Sequence, residues 1–144
     1  MRRFGWIVPA LGVFLVGLWG LVVHAPVYLP PVTPAMLDAQ PALDSGPQRV
    51  FGYATLTYPP VRLVVLGRLV PADTAQLAGF LRDGRDISPQ PDALLDGQVF
   101  TLQPAELLRL DRYERLGERY RRDLMTLTDG RTAWVYRLLP EARN

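Results

Sequence analysis

From Phe4 to Val23 the chain has no charged side chain and is filled with Leu, Val, Ile, Phe and Trp. Twenty such residues would rise roughly 30 Å as a helix, about one bilayer hydrocarbon core. Pro9 and four glycines suit a membrane helix better than a soluble one. Pro26, Pro30, Pro31, Pro34, Pro41 and Pro47 then break any periodicity up to Gln48. Such a stretch favours extended, semi-rigid chain, with Met36, Leu37 and Leu43 available to pack on a neighbouring surface.

Beyond it the apolar periodicity changes. Arg49–Leu56 predicts a strand entering a turn. Pro59-Pro60 opens a short helix through Leu66, with Gly67 closing it. Arg68–Val70 and Leu77–Arg82 read as short strands, Arg85–Pro91 as a loop, and Gln98–Leu102 as a further strand. Pro104–Leu116, followed by Gly117, is the clearest helix. Arg122–Thr128 and Thr132–Leu138 alternate around Asp129-Gly130, a hairpin signal. The expected fold is therefore a small α+β domain with a mixed, barrel-like sheet and short helices, preceded by one transmembrane helix. The divisions are an anchor at 1–24, a Pro-rich linker at 25–48 and a domain at 49–140.

Charge gives the segment an orientation. Arg2 and Arg3 precede it, and no Lys or Arg follows until Arg49. The positive-inside rule puts the N-terminus in the cytoplasm and the domain outside, in the periplasm if the cell is Gram-negative. The rival is a cleaved signal peptide ending at Val23-His24-Ala25. Pro26 just after the cut and the length of the apolar run count against it.

Composition narrows the chemistry. Cysteine is absent and His24 is the one histidine, far from the domain. Thiolate and imidazole zinc sites, cysteine nucleophiles and a Ser-His-acid triad are thereby made improbable; no cofactor or metal is expected. The 16 cationic residues are all arginine, against 14 acids. Six lie between Arg109 and Arg122, interleaved with Asp111, Glu114 and Glu118, as on a salt-bridged surface. No single-sign stripe points to nucleic acid. Carboxylates, tyrosines, arginines and backbone remain.

Glu114 is the candidate among them. It lies seven residues after Leu107, within about 20° of it around a helix axis, so its carboxylate projects from the apolar stripe. Desolvation there would lift its pKa toward neutrality, as a general acid–base at pH 7 needs. Alternatively, fraying turns Glu114 outward to pair with Arg115 or Arg119, and periodicity does not raise the first reading above the second. After Tyr53, the small residues Ala54 and Thr55 would let a ligand approach backbone N–H groups; a tight strand exit with nothing bound fits equally well.

The two motifs acquire a context together. Val50-Phe51-Gly52-Tyr53-Ala54-Thr55-Leu56 resembles the Tyr-Gly-x-Leu strand-loop of γ-glutamylcyclotransferase-like proteins, including their AIG2-like branch. Leu66-Gly67-Arg68, Leu77-Ala78-Gly79-Phe80 and Asp96-Gly97-Gln98-Val99-Phe100 are similar to the segments that follow there. Leu110-Asp111-Arg112-Tyr113-Glu114 matches Leu-Asp-x-x-Glu, and Tyr120-Arg121-Arg122 a later Tyr-x-Arg. The resemblance implies a pocket in which Tyr53, Ala54, Thr55 and Leu56 cradle a γ-glutamyl group, Glu114 is the acid–base and Tyr120 is a pocket residue. The implied reaction cyclises a small γ-glutamyl amide to 5-oxoproline and releases an amine; the alternative is an inactive binding or assembly module of the same fold at the membrane. The sequence departs from the family at Ala54, where a loop glycine is usual, and at Arg115, where glycine often follows the glutamate.

Overall fold

The computed structural model describes the backbone of residues 7–24 and 29–143, with side chains at 12–20 and 29–143. Its elements run α1 (Ile7–His24), α2 (Pro34–Asp38), β1 (Gln48–Gly52), a 3-10 turn (Thr55–Thr57), α3 (Pro59–Leu66), β2 (Asp73–Asp83), β3 (Asp86–Leu102), α4 (Pro104–Glu114), β4 (Tyr120–Thr126), β5 (Thr132–Leu138) and a 3-10 turn (Pro140–Ala142).

The five strands form one sheet in the order β2-β3-β1-β5-β4. Strand β1 is central, antiparallel to β3 and parallel to β5, so the sheet is mixed. Both of its faces are covered, and Val50 and Phe51 on opposite faces are each at most 1% exposed. On one face α4 inserts Leu107 and Leu110, with Leu66 of α3, against Val50, Phe100 and Trp134. No helix is needed on the other. There the long β2–β3 hairpin curls toward β4–β5, enclosing Phe51, Ile87, Leu95 and Val135. The closing contacts are Thr128 N–H to the Gln76 carbonyl at 2.9 Å and the Arg137 guanidinium over Phe80 at 5.5 Å. The curled, half-barrel sheet is the expected architecture, and β1 sits beside the β4–β5 hairpin as its apolar sequence requires.

Several local readings change. Arg68–Val70 is not a strand: Pro71 lacks the N–H a ladder needs, and β2 starts at Asp73. Of the expected loop 85–91, Arg85 lies in a turn, but from Asp86 onward the chain is the opening stretch of β3. Pro89 and Pro91 are tolerated because this stretch pairs with β2 alone, β1 pairing only from Gln98 onward, so one edge is free of ladder bonds. The β2–β3 register shifts between Ala78 and Phe80, at Gly79 with φ 80°; an irregularity of this kind bends a hairpin. Strand β1 ends at Gly52 rather than Leu56, and α4 at Glu114 rather than Leu116.

The Pro-rich stretch, described from Leu29, lies partly against the domain. The Thr33 hydroxyl caps α2, Leu37 packs on the core, and the Gln40 side-chain carbonyl accepts from the Arg122 N–H at 3.0 Å. Leu43 is exposed.

At the N-terminus the expected span differs in extent. Residues 4–6 lie outside the described residues, and so does the proposed cleavage point after Ala25. Helix α1 holds 18 residues, which rise about 27 Å, somewhat less than a bilayer core. Among the described residues no helix is long and apolar enough to cross a membrane.

Candidate active site

Strand β1 runs between β3 and β5 and delivers Gly52-Tyr53-Ala54 to the rim of the curled sheet. Two glycines make room for that exit. A Cβ on Gly97 of β3 would lie 2.5 Å from Phe51 Cζ and 2.6 Å from the Gly52 carbonyl oxygen, and one on Gly52 would lie 2.9 Å from Leu56 Cβ. The following turn is held from behind by Arg62 of α3, whose Nη1 donates to the Leu56 carbonyl and to Gln98 Oε1, both at 2.7 Å. Thr57 donates its hydroxyl to the Ala54 carbonyl at 2.7 Å. The first N–H groups of such a turn have no acceptor within it, and among the described residues those of Ala54 and Thr55 make no turn or loop bond to another backbone carbonyl.

The pocket in front of this loop has a volume of about 400 Å³, within the range of small-molecule sites. Tyr53, Ala54, Thr55 and Leu56 form one wall; Tyr113, Glu114 and Arg115 at the end of α4 form another, with Tyr120 and Tyr136 between them. All six residues singled out from the sequence therefore meet in one cavity, although Tyr53 and Glu114 are about sixty positions apart.

Glu114 is partly buried and has no side-chain hydrogen bond or ion pair among the described residues. The outward pairing with Arg115 does not occur, because Arg115 pairs with Glu118 at 2.8 Å. Desolvation pushes the Glu114 carboxyl up to about 7; Arg119 opposes this and Asp111 reinforces it. At neutral pH it can both accept and return a proton.

The tyrosines are fixed rather than reactive. Tyr53 donates its hydroxyl to the Tyr136 carbonyl at 2.7 Å, and burial drives its pKa far above the ordinary phenol value. Tyr120 donates to the Arg85 carbonyl at 3.2 Å, and burial, then Glu114, raises it too. Tyr136 donates to Asp111 Oδ1 at 2.6 Å. Asp111 is fully buried and pairs with buried Arg122 at 3.4 Å. This network ties α4 to β4 and β5 and so fixes the helix end that carries Glu114.

Both departures from the family pattern find their places. Ala54 has φ −126° and ψ −123°, outside the left-handed region. Arg115 has φ 53° and ψ 56°, a left-handed cap of the kind glycine usually supplies.

Arg82 and Arg85, which also line the pocket, escaped the sequence reading. Arg82 is near the end of β2 and Arg85 in the turn that follows, and Asp83-Gly84 between two alternating runs was the signal that could have found that turn. Among the described residues no grouping of three or more candidate ligands could hold a metal ion.

Comparison with known proteins follows the same outline. A family model described as γ-glutamyl cyclotransferase, AIG2-like, matches residues 50–144. The solution structure of an Arabidopsis thaliana protein superposes with a TM-score of 0.57 at 22% identity, over 73% of this chain and 69% of that one. A second Arabidopsis thaliana solution structure gives 0.55 at 26% identity, over 72% and 75%. A γ-glutamyl cyclotransferase structure gives 0.51 at 14% identity, over 65% and 67%; a likeness this distant in sequence speaks to fold alone. Comparison with curated proteins finds no match.

Proposed function

The chain belongs to the γ-glutamyl cyclotransferase, AIG2-like family, and on that premise we propose that it cyclises a γ-glutamyl amide to 5-oxoproline with release of an amine. The observation that carries this reading is the placement of Glu114, desolvated and unpaired, across one pocket from the Tyr53–Leu56 backbone.

The reaction is intramolecular. The Glu114 carboxylate takes a proton from the substrate's α-ammonium group, and the freed amine attacks the γ-carbonyl carbon. A C–N bond forms, closing a five-membered lactam. The developing oxyanion is held by N–H groups of the Ala54–Leu56 loop. The original amide C–N bond then breaks as protonated Glu114 gives its proton to the departing nitrogen, and the regenerated carboxylate takes the surplus proton from the ring nitrogen and passes it to the released amine. No water is consumed. Tyr120 shapes the pocket beside the reacting atoms.

The same proposal makes Phe4–Val23 an uncleaved bilayer anchor, residues 25–48 the linker and 49–140 the domain, with the domain outside the cytoplasm. Its support is the charge-free apolar run behind Arg2-Arg3, together with the exposed Val13, Phe14, Leu15 and Val16 side chains of α1. A reporter fused after Asn144 tests the topology, and activity of a cytoplasm-only reporter would overturn the orientation.

The catalytic test is 5-oxoproline release from γ-glutamyl amides by the purified full chain. Glu114→Gln is expected to keep the fold and lose about 10²–10⁴ in turnover. Glu118→Gln, whose carboxylate meets Arg115 on the surface, is expected to change turnover little. Equal losses from the two substitutions would remove the catalytic assignment.

A further inference from the structure

We propose that the outward face of α3 is a membrane-docking surface, seated in the bilayer interface beside α1. In naming lipid as the occupant this builds on the anchor reading; it is independent of the cyclotransferase activity.

Helix α3 turns the usual pattern of a surface helix inside out. A helix at the edge of a domain ordinarily buries an apolar stripe and gives its polar residues to water. Pro59–Leu66 has one polar residue, Arg62, and it is turned inward. Arg62 is 5% exposed and lies over the Phe100 ring at 5.6 Å, besides holding Leu56 and Gln98. Leu66 also packs into the core. Pro60 and Val64, four residues apart and so on one side of the helix, are exposed. Val61, Leu63 and Val65 are partly exposed. The outer side of α3 therefore carries no polar side chain, and Leu69, just beyond Gly67, is exposed as well. Apolar surface of this kind marks an interaction site.

The neighbouring helix names the occupant. Helix α1 comes against α3 without covering its outer side, since Val64 remains 40% exposed. Nor does α3 cover α1: Val13, Phe14, Leu15 and Val16 are each more than half exposed. Successive helix residues point about 100° apart, so these four look out on every side of the axis. A second copy or a partner protein would press on one side of such a helix, whereas lipid surrounds it. The apolar side of α3 continues that surface onto the domain. Its borders suit a headgroup layer. Tyr58 is exposed at the start of α3. At the other end Arg68 and Arg109 are exposed, and Arg109 donates to the Leu66 carbonyl at 3.0 Å. Tyrosine and arginine side chains favour this level of a bilayer. Because the Thr55–Thr57 turn runs directly into Tyr58 and α3, docking sets the loop wall of the pocket beside the membrane surface.

The chain has no cysteine, so single cysteines carrying a fluorophore can be placed in the full chain, in nanodiscs of phosphatidylcholine and phosphatidylglycerol. Val64→Cys probes the surface, and Leu69→Cys takes its place if the first variant lowers the urea midpoint. Val16→Cys probes the anchor. Leu124→Cys is the control, an exposed leucine on the edge strand β4. Nitroxide-bearing lipids are expected to quench the Val64 label and aqueous iodide to spare it. The lipid-to-iodide quenching ratio should exceed that at Leu124 at least about fivefold, as for a face seated about 5–10 Å into the headgroup and acyl boundary. Equal ratios at the two positions would overturn the proposal. So would protection of the Val64 label from both quenchers, which would mean that protein covers it. Lipid quenching at Val16 but not at Val64 would leave the anchor standing and overturn the α3 surface. Lipid quenching at Val64 but not at Val16 would sustain the surface as a peripheral attachment and remove the anchor.

Discussion

Tyr53 donates its hydroxyl to the backbone carbonyl of Tyr136 at 2.7 Å, joining residues 83 positions apart. The bond fastens the beginning of the catalytic loop to β5, whose Tyr136 side chain is in turn fastened to α4 through Asp111. Loop and helix end thus share one anchor on the sheet.

Tyr53→Phe is therefore expected to act through position and not through proton transfer. It leaves a buried carbonyl without its donor, a loss of about 1–3 kcal/mol, readable as a lowered urea midpoint. Because the Tyr53 hydroxyl is held far from ionisation, the midpoint of the pH–rate profile should stay where it is. A displaced midpoint would mean that Tyr53 titrates in the mechanism.

The pH dependence of turnover should follow Glu114. As the base it must be ionised, so kcat/KM is expected to rise with pH through about 7, and Arg119→Gln should move that limb upward by removing the charge that lowers Glu114. Stability runs the other way. The folded pKa of about 7 exceeds the ordinary 4.5, so between those values the native state binds more protons than the unfolded one. Stability falls as pH rises through that window, by at most about 3 kcal/mol. Glu114→Gln has no such titration. It should be the more stable protein at pH 8 relative to the unsubstituted chain, an advantage that fades toward pH 4.5 in parallel denaturation curves.

Gly97→Ala tests the loop exit. The new Cβ would meet the Gly52 carbonyl oxygen at 2.6 Å, and that oxygen is backbone in the central strand, unable to move aside cheaply. A stability loss of about 1–3 kcal/mol is expected, together with slower 5-oxoproline release. Unchanged stability would show that β1 and β3 are farther apart than described.

Arg115→Gly addresses the left-handed cap. The side chain costs about 1–2 kcal/mol at φ 53°, and its exposed ion pair with Glu118 returns at most about 1 kcal/mol. A net gain on the order of 1 kcal/mol in chemical denaturation is expected. A loss would mean that Arg115 contributes packing beyond the ion pair.

Where local rules govern, the sequence was enough. Pro59-Pro60 and Gly67 bracket α3 at the expected residues, because a proline at the first turn and a left-handed glycine are decided by the residue's own backbone freedom. Asp129-Gly130 placed the β4–β5 turn for the same reason. Leu107 and Leu110 were legible as buried positions from helical spacing, and the ordered motifs from Val50 to Arg122 pointed to the family.

The rest depended on neighbours distant in the chain. Pro89 and Pro91 argue for a loop until the sheet order shows that their stretch of β3 needs no partner on one side. The inward orientation of Glu114 was undecided by periodicity; it was settled when Arg115 found Glu118, and the packed surroundings of the helix end supplied the desolvation. Arg82 and Arg85 carried no sign of a site, since an exposed arginine beside a turn looks like any solvated cation. They reach the pocket because Gly79 and the register shift bend the hairpin, and two tyrosine hydroxyls hold one carbonyl of its turn. A sequence specifies backbone freedom and apolar spacing residue by residue, whereas a desolvated carboxylate exists only once distant segments have excluded water together.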